Sequence, residues 1–157
     1  MNIELINKIK EQIQKDNKSI LMGCWFRESV ESDCGTAGCI AGWACFLTDR
    51  LRKGRQTAPI LANYYSTISG VSIYESAAYT LDISMEKAKG LFYPEHWPEL
   101  FLQKVYSDNL SLINAFESLP DSIEKKIQYV FDYSLLPSKL AADIVCARLD
   151  YLVENGV

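Results

Sequence analysis

Between Cys34 and Leu47 the chain reads Cys-Gly-Thr-Ala-Gly-Cys-Ile-Ala-Gly-Trp-Ala-Cys-Phe-Leu, and the first half of this stretch carries almost no side-chain bulk. The apolar positions favour a helix from about Thr36 onward, with Asp33 or Thr36 as its N-cap and Ile40, Trp43, Phe46, Leu47 and Leu51 as its apolar residues. Gly38 and Gly42 each cost such a helix about 1 kcal/mol relative to alanine, so packing has to offset the loss. Ala37, Ala41 and Cys45, or Gly38 and Gly42, lie one turn apart and form a smooth strip on which another backbone can approach closely. A segment built this way belongs at the centre of a fold, against the N-terminal helix or a later one.

The rest of the sequence supplies helices to surround it. Ile3, Leu5, Ile6, Ile9 and Ile13 recur at three-to-four spacing and predict an amphipathic helix over about residues 3–16. Ser19 to Phe26 is short and apolar and reads as extended, and Arg27 to Asp33 reads as an exposed loop. Pro59 opens a helical stretch that includes Ile60, Leu61, Tyr64 and Tyr65 and ends at Ser69-Gly70. Ile73, Ala77, Ala78 and Leu81 predict another helix, and Ser84 caps a short one with Met85, Ala88 and Leu91 inward. Pro94 and Pro98 bracket His96-Trp97 and exclude regular helix between them, because proline lacks the amide donor and biases the residue before it toward extended geometry. Helices follow over about 99–106, 110–119, 121–133 and 138–154, the last opened after Pro137 and closed by Gly156. The expected architecture is an all-α, irregular helical fold, one domain over residues 1–157, with a short extended segment near residues 19–26.

At 157 residues the chain can bury roughly two-thirds of its unfolded surface, so it needs no metal or disulfide staple. The longest apolar stretches, such as Gly38 to Leu47, fall well short of the roughly 20 residues that cross a bilayer. The first seventeen residues interleave charges at helical spacing where a secretion signal has a greasy block. With no export signal, the five cysteines are expected to be reduced and the chain cytoplasmic. Charge is uneven, with nine basic against eight acidic residues through Ala78 and seven against twelve beyond it, which argues against generic nucleic-acid binding. Arg50, Arg52, Lys53 and Arg55 form one local basic cluster, suited to the negative end of the preceding helix or to a phosphate.

Met22 and Trp25, then Cys34-Gly35-Thr36 with Cys39-Ile40-Ala41-Gly42-Trp43-Ala44, and later Leu91-Phe92, Pro94 and Trp97-Pro98 are combined in a specific way. Over Met22 to Pro98 the chain thereby resembles a widespread set of uncharacterised bacterial and phage-borne proteins. These share a Cys-Gly-Thr, a Cys-Ile-Ala-Gly-Trp-Ala and a Leu-Phe-x-Pro-x-x-Trp-Pro. The resemblance implies a bacterial or phage origin and assigns no catalytic residue.

Candidate chemistry centres on the same stretch. Zinc would suit thiolates and an imidazole, but Cys34 and Cys39 lack the usual paired short spacing, and six residues put Cys39 and Cys45 on different helix faces, so no metal or cofactor is expected. A thiol in the first turn of a helix feels the positive end of its dipole, which makes Cys34 or Cys39, with His96 as base, the candidate machinery of a cysteine-dependent hydrolase or transferase. Gly35, Gly38 and Gly42 suggest an anion cradle without the lysine of a nucleotide-binding loop. An anionic or nucleotide-like ligand would then be held by Cys34, Gly35 and Thr36 with Arg27, Arg50 or Arg52 and Trp97. Held between prolines, Trp97 is also expected to seal the Cys34–Trp43 segment. Titratable groups are scarce in the signature, so the favoured reading is a non-enzymatic binding protein that captures a host protein or sequesters a small nucleotide-like ligand. An exposed aromatic face would also allow a homo-oligomer.

Overall fold

The computed structural model describes residues 1–24, 26–29, 32–33, 36–53, 64–113 and 122–156. Helix α1 (Ile3–Lys15) begins at Asn2, whose side-chain oxygen accepts from the Leu5 amide at 3.1 Å. Leu5, Ile6, Ile9 and Ile13 form its buried stripe. Ile3, expected among them, is 49% exposed. It lies about 100° round the helix from the centre of that stripe. A 3₁₀ turn (Asn17–Ser19) follows, Ile20 bridges to Gly38, and residues 22–23 turn, so the segment expected to be extended over 19–26 is broken by turns at both its start and its middle.

The small-residue stretch divides into two elements where one helix was expected. Strand β1 (Phe26–Glu28) pairs antiparallel with β2 (Thr36–Gly38), Arg27 opposite Ala37, and helix α2 (Ile40–Phe46) starts only after Cys39, whose backbone is extended. The reason lies at Gly38. Its backbone pairs with Phe26 on one side, while its carbonyl accepts from Leu21 N at 3.0 Å on the other. Two chains close on a residue with no side chain, and those bonds outweigh a helix already weakened by glycine.

Every residue of α2 from Ile40 to Cys45 is buried, as befits a helix that is apolar all round. It packs against α3 (Ile73–Leu81), against α1 and against α4 (Met85–Phe92), which places it centrally, as the small residues require. The Trp43 indole donates to Ser19 O at 2.9 Å, and its ring meets those of Phe26 and Phe46.

A second ladder joins β3 (Leu51–Lys53) to β4 (Tyr64–Ser66), antiparallel, with Arg52 opposite Tyr65. Tyr64 and Tyr65 are therefore extended where a helix was expected; aromatic residues suit a pleated ladder, and Thr67 N continues it to Arg50 O at 2.8 Å. The expected opening of that helix, Pro59 to Leu61, lies outside the described residues.

Gly70 turns the chain with φ +78° into α3, which opens on a full capping box: Ser72 Oγ accepts from Glu75 N, and Glu75 accepts from Ser72 N. Ser84 caps α4 as expected, burying Ala88, Leu91 and Phe92, but Met85 is 46% exposed at the helix start while its carbonyl accepts from the Tyr74 hydroxyl. Pro94–His96 forms a 3₁₀ turn, followed by α5 (Glu99–Asp108), α6 (Leu110–Ile113), α7 (Ile123–Asp132) and α8 (Ser138–Asn155), the last ended by Gly156 at φ +71°. Of the helix expected over 110–119, residues 114–119 lie outside the described residues, as does Asp121. α8 packs on α1, α4 and α5, and α7 packs on α5 and on the Pro94–His96 turn. The architecture is predominantly helical, and the two short ladders are the β structure found among the described residues. Among the described residues no helix is long and apolar enough to cross a membrane.

Candidate functional site

The signature residues are largely consumed by the core. Cys39 stands at the head of α2, as the sequence suggested, yet it is buried, and its thiol is pushed up from 9.0 to about 12. Burial is the largest cause; the amides of Gly42 and Ala41 pull the other way and lose. A helix terminus contributes up to about 2 kcal/mol toward a thiolate, and desolvation at this site exceeds that. Cys45, donating to Ile73 O, and Cys146 are raised to about 11, again chiefly by burial. None of these three thiols is tuned for attack at neutral pH.

The remaining predicted residues are dispersed. Cys34 and Gly35 lie outside the described residues; Thr36 opens β2, and Arg27 occupies the middle of β1. Arg52 is exposed on β3, and the Arg50 guanidinium lies 6.0 Å from the centre of the Tyr79 ring on α3. His96 is exposed, its ring edge-on to Tyr93 at 6.3 Å. Trp97 is buried at 3% exposure, its indole N–H donating to Leu91 O at 3.2 Å. Its ring packs on Phe101 of α5 and Phe131 of α7 and ties the Pro94–Pro98 turn to the C-terminal helices; Cys34 and Gly35 of the segment it was expected to seal lie outside the described residues. The two tryptophans thus anchor different aromatic clusters.

What the two halves of the signature do build together is a cleft of about 300 Å³. One wall is the Met22–Cys24 turn, the second is Phe92 to Glu95, and the third is α7 through Gln128 and Asp132. The Cys39 amide donates to Cys24 O at 3.0 Å, which holds the first wall to the head of α2. Gly23 brings that wall so near α7 that a β-carbon on it would stand 3.0 Å from the Asp132 carbonyl oxygen and 3.2 Å from its Cα. Tyr74 meets both Phe92, edge-on at 5.7 Å, and Tyr93, at 6.0 Å, and so fixes the second wall from behind.

The electrostatics of this cleft are one-sided. Among the described residues no lysine, arginine or histidine lines it, while Glu95 and Asp132 both do. The Asp132 carboxyl is raised above its ordinary value by burial and then by the charge of Glu95, with a Gln128 hydrogen bond opposing. As the last residue of α7 it also stands at the negative end of that helix. The Tyr93 phenol is raised as well, chiefly by burial. Cys24, half-exposed, is the described thiol that lines the cleft. Such a cavity can receive a cation or a multiple hydrogen-bond donor. Among the described residues no group of three or more His, Cys, Asp or Glu is placed to hold a metal ion. Set against protein-family models, curated proteins and solved structures, the chain matches none.

Sequence reasoning reached Met22 and Pro94 through the signature but missed Gly23, Glu95, Gln128 and Asp132. An acid at the C-terminal end of a predicted helix, against the dipole, was the signal available for Asp132. Nothing in the sequence joined it to Gly23, more than a hundred positions away.

Proposed function

We propose that this chain, of bacterial or phage origin, is a non-enzymatic binding protein that captures a partner protein by receiving one of its basic side chains in the cleft between Met22–Cys24, Phe92–Glu95 and Asp132. The observation that carries this reading is the acidic lining, in which Asp132 is held above its ordinary value by burial and by Glu95. A guanidinium or ammonium entering between the two carboxylates relieves their mutual repulsion and forms charge-assisted hydrogen bonds. The rings of Phe92 and Tyr93 offer apolar surface to the side-chain stem. The raised thiols at Cys39, Cys45 and Cys146 support binding over covalent catalysis.

The test uses Nα-acetyl-arginine amide as probe, followed by amide chemical shifts, with Nα-acetyl-glutamate amide as the opposite-charge control. Saturable shifts at residues 22–24, 93–95 and 128–132 are expected with the arginine probe, lost in Glu95→Gln/Asp132→Asn and absent with the glutamate probe. Equal response to both probes, or an undiminished response in the double variant, contradicts the reading.

A further inference from the structure

Beside the Pro94–His96 turn lies a second cavity of about 340 Å³ with the reverse polarity. Its walls are α4, through Ser84, Lys87 and Gly90, the turn itself through His96, and α8 through Arg148. Three nitrogen-bearing side chains, an ammonium, a guanidinium and an imidazole, thus come from three separate elements. Among the described residues the one acid in the lining is Glu86.

We infer that this cavity binds the phosphate group of a small phosphate monoester, held by Lys87, His96 and the Ser84 hydroxyl over the charge of Arg148.

Arg148 supplies the fixed floor. It is fully buried, donates from Nη2 to Gly90 O at 2.7 Å, and lies near the rings of Phe101 and Tyr151, with 5.9 Å and 5.7 Å to their centres. A guanidinium held there projects a weakly screened positive potential into the adjoining space. Burial lowers its pKa to about 10. Lys87 and His96 provide the mobile grip. Both are exposed, and neither enters an ion pair among the described residues. Lys87 extends toward the end of α8, its Nζ being 3.8 Å from where a β-carbon on Gly156 would stand. Ser84 Oγ accepts from Lys87 N at 3.3 Å as the cap of α4, which leaves its O–H as a donor. Ammonium, imidazole N–H and hydroxyl groups facing one space over a buried guanidinium suit a tetrahedral oxyanion. This site is separate from the acidic cleft, whose lining it does not share, so either can fail without the other.

Adenosine 5′-monophosphate and inorganic phosphate are the probes, titrated into the ¹⁵N-labelled full chain at low salt. Saturable shifts confined to residues 84–90 and 96–98 are expected with both, weakened roughly tenfold or more in Lys87→Gln/His96→Gln, as loss of two charge-assisted contacts implies. Both substitutions are on exposed side chains, and an unchanged amide spectrum elsewhere establishes that the variant is folded. Lys87→Glu, a charge reversal, should abolish binding, and Arg50→Ala/Arg52→Ala should leave it intact. Absence of saturable binding at about 10 mM probe, or binding that survives Lys87→Glu or disappears in the Arg50/Arg52 variant, overturns the inference.

Discussion

Replacing Gly23 by alanine adds one methyl group to an exposed turn, a change that usually stabilises a protein by about 0.4–1 kcal/mol through the unfolded chain when the space is open. Here the space is closed by backbone. The new carbon would meet Asp132 O at 3.0 Å, its Cα at 3.2 Å and its carbonyl carbon at 3.5 Å, so one wall of the cleft must retreat by a few tenths of an ångström. Neither wall moves freely. The end of α7 is tied by Tyr133 N to Tyr129 O at 3.1 Å and Leu135 N to Val130 O at 2.9 Å, and the turn by Leu21 N to Gly38 O and Cys39 N to Cys24 O, both at 3.0 Å. Overpacking against fixed neighbours costs about 1–3 kcal/mol, which exceeds the entropic gain. Gly23→Ala is therefore expected to lower stability in urea unfolding, with Tm falling by about 2–4 °C for each kcal/mol lost in a chain of this size. Gly90→Ala is the internal control. Its β-carbon would meet only His96 O at 3.4 Å, an ordinary contact, inside α4, where alanine gains about 1 kcal/mol over glycine. Opposite signs for the two substitutions are expected. A Gly23→Ala protein within about 0.5 kcal/mol of the parent would refute the close approach on which the cleft depends.

Further outcomes follow from single contacts. Ser72→Ala removes half of the capping box on α3 and should cost about 0.5–2 kcal/mol in chemical denaturation; a neutral result would mean that the box is not formed in solution. Trp43→Phe keeps an aromatic ring but withdraws the donor from Ser19 O, and a loss of about 1–3 kcal/mol is expected, with near-zero change contradicting the buried hydrogen bond. With Cys39 at about 12 and Cys45 and Cys146 at about 11, the unfolded chain loses thiol protons near pH 9 while the folded chain keeps them. Proton binding favours the folded state over that window, so stability should fall as pH rises from about 9 toward 11, and a flat profile would show that these thiols are not buried.

The periodic helices were legible in the letters because their signals are local. Ser84 and Gly156 mark ends where the chain does cap or turn, and the stripe of Leu5, Ile6, Ile9 and Ile13 faces inward as its spacing demands. Both departures into strand have one cause. Thr36–Gly38 and Tyr64–Ser66 become extended through partners distant in sequence, Phe26–Glu28 and Leu51–Lys53, and pairing of that kind leaves no periodicity to read in three residues. Trp97 is buried as its place between prolines suggested, but nothing local in the sequence pointed to Phe101 and Phe131 as the rings it meets. The acidic cleft was hidden for the same reason: Glu95 and Asp132 are ordinary surface acids in the sequence, and only the packing of α7 on the Pro94–His96 turn makes them face one another's field.

The central claim is that the cysteine- and glycine-rich signature builds the core and leaves function to the clefts around it. Iodoacetamide labelling of the native protein at neutral pH, mapped by mass spectrometry and timed against a free thiol, tests it directly. Cys39, Cys45 and Cys146 should stay unlabelled until the fold opens, while half-exposed Cys24 reacts no faster than the free thiol. A Cys39 that is alkylated in the folded protein faster than the free thiol would contradict the claim and make the head of α2 a reactive centre.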